Sequence, residues 1–261
     1  MARSTAISFD LARLRPALKP FRLHWFSRLR STNDHAAFMR KHGRLFAPAV
    51  VLTGRQIAGR GRGGNTWWSE RGVLTVTFVL PVESHLAAHQ VPLIAGLAVR
   101  TAIAELTADD SIQLKWPNDV LHRGRKLAGL LCERVDKADL IGLGLNVNVD
   151  PSRAPRALQK RITSLSQIAG RPFDMTQVLG GVAQHVHRLL ARRDELPFGQ
   201  ALRDYDRHHA LVGRRVVVGG ATGNGPISGR CEGLDSHGRL LLRNRKRLER
   251  VIAGEVQLLD N

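Results

Sequence analysis

The sequence predicts an α+β protein that ends in a small all-β module. Three observations carry this. Residues 49–53 and 73–80 are apolar runs rich in Val, Leu and Thr, the composition of strands. Residues 86–106 place Leu93, Ile94, Leu97, Ala98, Ala102 and Leu106 at helical spacing. From residue 211 onward helical periodicity stops, and short strands follow one another through Gly-rich turns.

The elements can be taken in order. Residues 1–20 alternate Leu and Ala with Arg and Pro and read as an N-terminal extension, poorly ordered, with no secretory signal. A short strand pattern covers residues 21–29. Ser31-Thr32-Asn33 then offers cap chemistry for a helix over 34–42. A Gly/Arg loop separates the strands at 49–53 and 73–80. Residues 111–116 alternate apolar and polar, which predicts a half-buried strand ended by Pro117. A hairpin follows, out over 120–122, turning at 123–125 and returning over 126–135. Residues 139–147 form another strand, whose glycines leave room for a close neighbour. Residues 150–161 are rich in Pro and Arg and predict a mobile loop. Helices are expected over 174–193 and 198–209. Strands over 214–218, 229–234, 239–243 and 256–259 make the C-terminal module a small barrel. The domain reading is therefore 1–20, 21–210 and 211–261.

Composition narrows the class. The 261 residues, 43% hydrophobic and 24% charged, suit a globular domain with a real core. No apolar run approaches the roughly 20 residues a membrane span needs. Cys132 and Cys231 are too few and too far apart for a disulfide framework or zinc site, and read as small core residues. The net charge of +18 fits either an Arg-biased composition or an anionic partner. Only seven of the 40 basic residues are Lys, so a Lys inside a motif reads as a chemical choice.

Four polar clusters carry the candidate chemistry. Ser31-Thr32-Asn33 is both a helix cap and a set of donors and acceptors for a polar ring. Gln56 and the run Gly59-Arg60-Gly61-Arg62-Gly63-Gly64, followed by Trp67, join a permissive backbone to two guanidinium forks and a stacking surface. A flexible surface loop or an RNA-binding Gly/Arg element would share that composition, but this run lies between two strong strands. Lys115-Trp116-Pro117-Asn118-Asp119 gathers Lys, Asn and Asp at a strand end. Lys126-Leu127-Ala128-Gly129-Leu130-Leu131-Cys132-Glu133 and Gly142-Leu143-Gly144-Leu145-Asn146-Val147-Asn148 are core strands that leave Lys126 and Asn146 for function. No phosphate loop or nucleophile elbow is present. The His185/His187 and His208/His209 pairs lack metal-site companions and read as solvated helix residues.

Taken in this order, the five motifs resemble the biotin protein ligases from about residue 23 to the C-terminus. The resemblance implies a mixed sheet flanked by helices, of the class II synthetase-like kind, with a C-terminal SH3-like barrel. It implies that biotin and Mg-ATP give biotinyl-5′-AMP and pyrophosphate. The acyl group then passes to a lysine of a biotin carboxyl carrier domain. Ser31, Thr32, Asn33, Gln56, Arg60, Gly61, Arg62, Lys126 and Gly129 would bind biotin. Arg62, Trp67, Lys115, Asn118, Lys126 and Asn146 would bind ATP or the adenylate. Lys126, Arg62, Lys115 and Asp119 would be catalytic. Asp119 would orient or deprotonate the incoming lysine or help hold Mg²⁺, and no protein-only metal site is expected. The expectation is a cytoplasmic monomer or homodimer without membrane attachment. A DNA partner is not implied, because no helix-turn-helix domain precedes the catalytic part. The alternatives are a lipoate or octanoate transferase of the same fold and a non-enzymatic nucleic-acid binder. One departure stands out. Family members often carry further Arg or Lys between Arg62 and Trp67, where this chain reads Gly63-Gly64-Asn65-Thr66.

Overall fold

The structure, a computed structural model, describes residues 8–82, 86–191, 197–220, 225–245 and 247–259. The elements are α1 Leu11–Ala17, β1 Arg22–Phe26, α2 Thr32–Lys41, β2 Ala49–Thr53, β3 Gly59–Arg60, β4 Thr66–Trp67, β5 Val73–Pro81 and α3 Val91–Thr107. Then come β6 Ile112–Lys115, β7 Asp119–His122, β8 Arg125–Val135, β9 Ala138–Asn146, α4 Arg156–Gln159, α5 Leu165–Ala169, α6 Met175–Ala191 and α7 Phe198–Arg207. The C-terminal strands are β10 Arg215–Gly219, β11 Ile227–Leu234, β12 Leu240–Asn244, β13 Arg247–Val251 and β14 Glu255–Leu258.

A seven-stranded sheet in the order β1-β2-β5-β9-β8-β7-β6 forms the centre. Only β1 and β2 run parallel, and the other pairings are antiparallel, so the sheet is mixed. The β7–β8 and β8–β9 hairpins turn on two-residue loops. Both loop residues of each have positive φ (Arg123 and Gly124, Asp136 and Lys137), as tight hairpins require. The last five strands form a separate antiparallel sheet, β13-β12-β11-β10-β14.

The central sheet buries its two faces differently. Side chains alternate along a strand, so neighbours in sequence serve opposite faces. On β9, Ile141, Leu143 and Leu145 join the large core that includes α3 and α6. On the opposite face Ala138 and Leu140 pack under α2 with Ala49, Val51 and Val79. The next positions on that face, Gly142 and Gly144, carry no side chain and open a recess beside α2. Buried apolar surface stabilises by about 25 cal/mol per Å², so the α3 face, with many more buried apolar side chains, contributes more than the α2 face.

Several expectations are corrected. Residues 10–18 are ordered: Asp10 caps α1 by accepting from the Ala12 and Arg13 amides, and Leu14 and Leu18 are fully buried one helical turn apart. Residues 1–7 lie outside the described residues. The 150–161 segment is not a mobile loop. Pro151 and Ala154 are buried, and Gln159 donates to the carbonyls of Ser152 and Ala154. Arg161 carbonyl then accepts from the Lys126 amide. The histidines are not all solvated. His185 is buried between Glu105 at 2.8 Å and Arg188 at 2.7 Å, and His209 is buried against Tyr205 and Asp206. The 86–106 helix begins at Val91, with Pro92 in its first turn. Residues 192 and 193, at the end of the helix expected over 174–193, lie outside the described residues.

The C-terminal sheet is locked to the central one. The segment leading into it is held first: Leu114 of β6 pairs with His209, its amide donating to His208 carbonyl and its carbonyl accepting from Ala210. The buried Trp116 donates its indole N–H to Gly238 carbonyl at 3.3 Å. A side chain at Gly238 would run into Leu93 at 2.6 Å, so the Asp235–Gly238 turn sits flush on α3.

Candidate functional site

The recess is floored by glycines. Gly142 pairs with Leu131 and Gly144 with Gly129 in the β8–β9 register, so the floor spans two strands. A Cβ at Gly142 would collide with the Asn33 amide, and one at Gly144 with the Trp67 indole. At Gly129 a Cβ would meet Lys126 Nζ at 3.0 Å and the Trp67 ring at 3.3 Å. Any larger residue would therefore expel a site side chain.

One wall comes from α2. Ser31 is its cap, in extended conformation, and its Oγ accepts from the Asp34 amide at 3.3 Å. Thr32 presents its amide at 2.9 Å and its hydroxyl at 3.3 Å to Gln56 Oε1. Ser31, Thr32, Asn33 and Gln56 are all buried. Capping a helix and lining a polar recess are thus met by the same residues.

The Gly/Arg run is a small hairpin. β3 and β4 pair Gly59 with Trp67 and Arg60 with Thr66, and Gly61 amide donates to Asn65 carbonyl at 2.7 Å. Gly63 and Gly64 make the turn with φ of 61° and 81°, which glycine adopts without strain. Arg62 donates to Asn118 Oδ1 at 3.3 Å, and Arg60 ion-pairs with Asp34 and Glu133. The half-buried Trp67 lies on the glycine floor with its indole N–H buried and unpartnered, 5.7 Å from Lys126 Nζ to its ring centre.

Charge converges opposite the hairpin. Lys126 Nζ lies 2.6 Å from Asp119 Oδ1. Its main chain is clamped by residues 161–163: its amide donates to Arg161 and its carbonyl accepts from Thr163. Lys115 is pushed below its ordinary pKa, first by burial, with Asp119 opposing and Lys126 and Arg161 adding to the fall. Burial likewise lowers Arg62, against the pull of Asp119 and Glu255. Lys115, Lys126 and Arg62 outnumber the carboxylates of Asp119 and Glu255 that act on them, and an anionic ligand would offset the excess.

The structure brings Ser31, Thr32, Gln56, Gly61, Arg62, Trp67, Lys115, Asn118, Asp119, Lys126 and Gly129 to this recess and its hairpin. Three expected residues stand differently. Asn33 has its polar atoms already engaged: Nδ2 donates to Leu131 carbonyl and Glu133, and Oδ1 accepts from Thr77. Asn146 is buried and donates to Thr163 carbonyl at 3.0 Å, pinning the segment that clamps Lys126. Arg60 faces carboxylates. Asp34 and Glu133 were not anticipated. The only signal was Glu133 at the end of the Lys-Leu-Ala-Gly-Leu-Leu-x-Glu motif. Among the described residues no group of three or more His, Cys, Asp or Glu could hold a metal ion.

Known proteins resemble this chain in sequence and in fold. Residues 25–150 match the Biotin/lipoate A/B protein ligase family, and residues 211–259 match the Biotin protein ligase C terminal domain. The biotin–[acetyl-CoA-carboxylase] ligase of Mycobacterium tuberculosis is 32% identical over 87% of this chain and 85% of its own. The bifunctional ligase/repressor BirA of Bacillus subtilis is 32% identical over 80% of this chain, which spans 66% of that protein's length. The biotin protein ligase of Aquifex aeolicus, solved in complex with biotin and ATP, superposes with a TM-score of 0.81 at 28% identity, over 92% of this chain and 99% of that one. On the motifs, the two-module sheet architecture and these relatives, the chain belongs to the biotin protein ligase family.

Proposed function

We propose that the chain joins biotin to AMP and then to a protein lysine. In the first step a biotin carboxylate oxygen attacks the α-phosphorus of ATP, and pyrophosphate leaves. In the second a lysine amine of a carrier domain attacks the acyl carbon, AMP leaves, and the amine loses a proton. The observation that carries this reading is the Lys126–Asp119 pair at 2.6 Å, set beside the half-buried Trp67 and the partly desolvated Lys115 and Arg62.

The residues have definable tasks. Ser31, Thr32 and Gln56 offer donors and acceptors to the ureido ring. Lys126 is a compact cation for the oxygens shared by the biotin carboxylate and α-phosphate. Negative charge builds there in both steps, and preorganised cations stabilise it. Lys115, Asn118 and Arg62 suit the nucleotide phosphates, and the exposed part of Trp67 offers the adenine a stacking surface. Asn146 holds Lys126 in place and lies at the adenylate end. Asp119 is positioned to orient the incoming amine. Mg²⁺ would enter with ATP, bound chiefly by phosphate oxygens and water, since no described group of three or more His, Cys, Asp or Glu could hold a metal.

The acceptor is a carrier domain of a biotin-dependent carboxylase, and the enzyme acts in the cytoplasm as a monomer or homodimer. No described helix is long and apolar enough to cross a membrane. The test is incubation with biotin, Mg-ATP and a carrier domain. Biotinylated carrier and stoichiometric pyrophosphate are expected, without competition from octanoate. Absence of both products would refute the reading.

A further inference from the structure

The C-terminal sheet turns one face to the core and carries a row of arginines on the other. Val216, Cys231 and Leu242 are buried in the large core. Side chains alternate along a strand, so their neighbours Arg215, Arg230 and Arg243 stand on the opposite face, and all three are exposed. The register sets them side by side. Arg215 of β10 pairs with Arg230 of β11, and Arg230 pairs with Arg243 of β12. A Cβ at Gly229 would meet Arg243 carbonyl at 2.9 Å, so β11 and β12 come close just where the row crosses them. The row continues onto the β12–β13 hairpin at the sheet edge, which exposes Arg245 in its turn and Arg247 at the start of β13.

Like charges directly opposite one another destabilise a sheet. An Arg-biased composition accounts for many arginines, but not for three in register on adjacent strands. Glu232 balances one of them, accepting from Arg243 at 2.9 and 3.0 Å. Arg230 Nε donates to Gly213 carbonyl at 3.0 Å, which orients the side chain and leaves its charge uncompensated. The side chains of Arg215, Arg245 and Arg247 have no partner among the described residues. The row is also remote from the recess. Glu255, whose charge acts on Lys115 and Arg62, pairs with Gly219, four residues or about 13 Å along β10 from Arg215.

The shape of the row selects among anions. Guanidinium forks match phosphate oxygens. From β10 to β13 the row spans about 14 Å, close to the roughly 12 Å width of a duplex major groove, which admits a two-stranded ribbon. No Phe, Trp or Tyr occurs from residue 211 to the C-terminus, so the module lacks the stacking platform that unpaired bases use. We propose that the outer face of the C-terminal sheet binds the phosphate backbone of double-stranded nucleic acid. Arg215, Arg230 and Arg243 lie along the backbone, the β12–β13 hairpin meets the groove, and no base sequence is read.

The experiment titrates the full chain into a fluorescent DNA duplex of about 20 base pairs and mixed sequence, without biotin or ATP, and follows anisotropy from about 50 to 200 mM salt. The slope of log K against log salt is expected at about −3 to −5, each phosphate contact contributing about −0.9. The triple variant Arg215→Gln, Arg230→Gln, Arg245→Gln should make the slope shallower by about 2–3 and weaken binding at about 50 mM salt roughly 10–100-fold. A control of equal charge loss, Arg22→Gln, Lys41→Gln, Arg44→Gln, removes exposed cations of the catalytic part and should change the slope by less than about 1. Removing opposed like charges should also raise Tm of the row variant by about 1–2 °C at low salt. Absence of duplex binding overturns the proposal, as does an equal loss in the control variant. A single strand that binds more tightly than the duplex overturns it too. So does a polyglutamate peptide of equal charge that competes as well as the duplex, which marks an acidic protein as the partner. A lowered Tm with unchanged duplex binding marks a merely structural role for the row. If the triple variant fails to fold, Arg215→Gln alone, at the exposed start of β10, decides by a slope shallower by about 1.

Discussion

The two faces of β9 are one strand put to opposite uses. On one face Ile141, Leu143 and Leu145 interlock with the core under α3. On the other, Gly142 and Gly144 hold back so that Asn33 and Trp67 can lie directly on backbone. The first face is filled to exclude water and the second is emptied to admit side chains from elsewhere in the fold. The difference separates stability from chemistry within nine residues.

That separation can be broken or sharpened by substitution. The largest effect is expected on the filled face. Leu143→Ala should lower stability by about 2–5 kcal/mol in urea unfolding while KM for biotin in the folded protein is unchanged. A large change in KM would mean the faces are coupled. On the emptied side, Lys126→Ala should cut adenylate formation by about 10²–10³-fold, read as pyrophosphate release, with Tm moving by no more than about 2 °C. A comparable loss of stability would return Lys126 to a structural role. Gly144→Ala is intermediate, because its methyl displaces Trp67. KM for ATP should rise about tenfold and Trp67 fluorescence should change, with biotin affinity retained. The smallest effect sharpens the contrast from the stability side. Lys115→Met should raise Tm by about 1–3 °C while activity falls. The sign follows from burial. A lysine whose folded pKa is lowered binds fewer protons folded than unfolded, so wild-type stability climbs with pH between the folded and the ordinary lysine pKa. The variant should lose that climb in pH-dependent melts.

Legibility in the sequence followed the same division. The strands 49–53 and 73–80 and the helices α3 and α6 stood out because burying a whole face leaves a periodic apolar pattern. Helix α1 did not, because only Leu14 and Leu18 are needed to dock it and Pro16 and the arginines mask that spacing. Strand β13 was missed because Arg247, Glu249 and Arg250 dilute its pattern and one residue, Val251, is buried. At the site, most of the residues that the fold brings to the recess stood together in short motifs. The Asn33–Glu133–Arg60 arrangement was not legible, since its members lie 73 and 100 positions apart and no local pattern joins them. Asn33 and Asn146 show the converse. Each sits in a motif that resembles a ligand contact, yet the fold spends most of their hydrogen-bonding capacity on holding other residues still.

The contact between Trp116 and Gly238 bears on how such a chain could be dismantled or recombined. The indole belongs to the motif that carries Lys115 and Asn118, and its acceptor belongs to the C-terminal module. A cut near residue 210 would leave a buried donor without an acceptor at the residue next to Lys115. Chimeras that exchange the C-terminal module between relatives should therefore carry the Asp235–Gly238 turn together with the α3 surface it rests on. The seam visible in the sequence is not the seam along which the molecule comes apart.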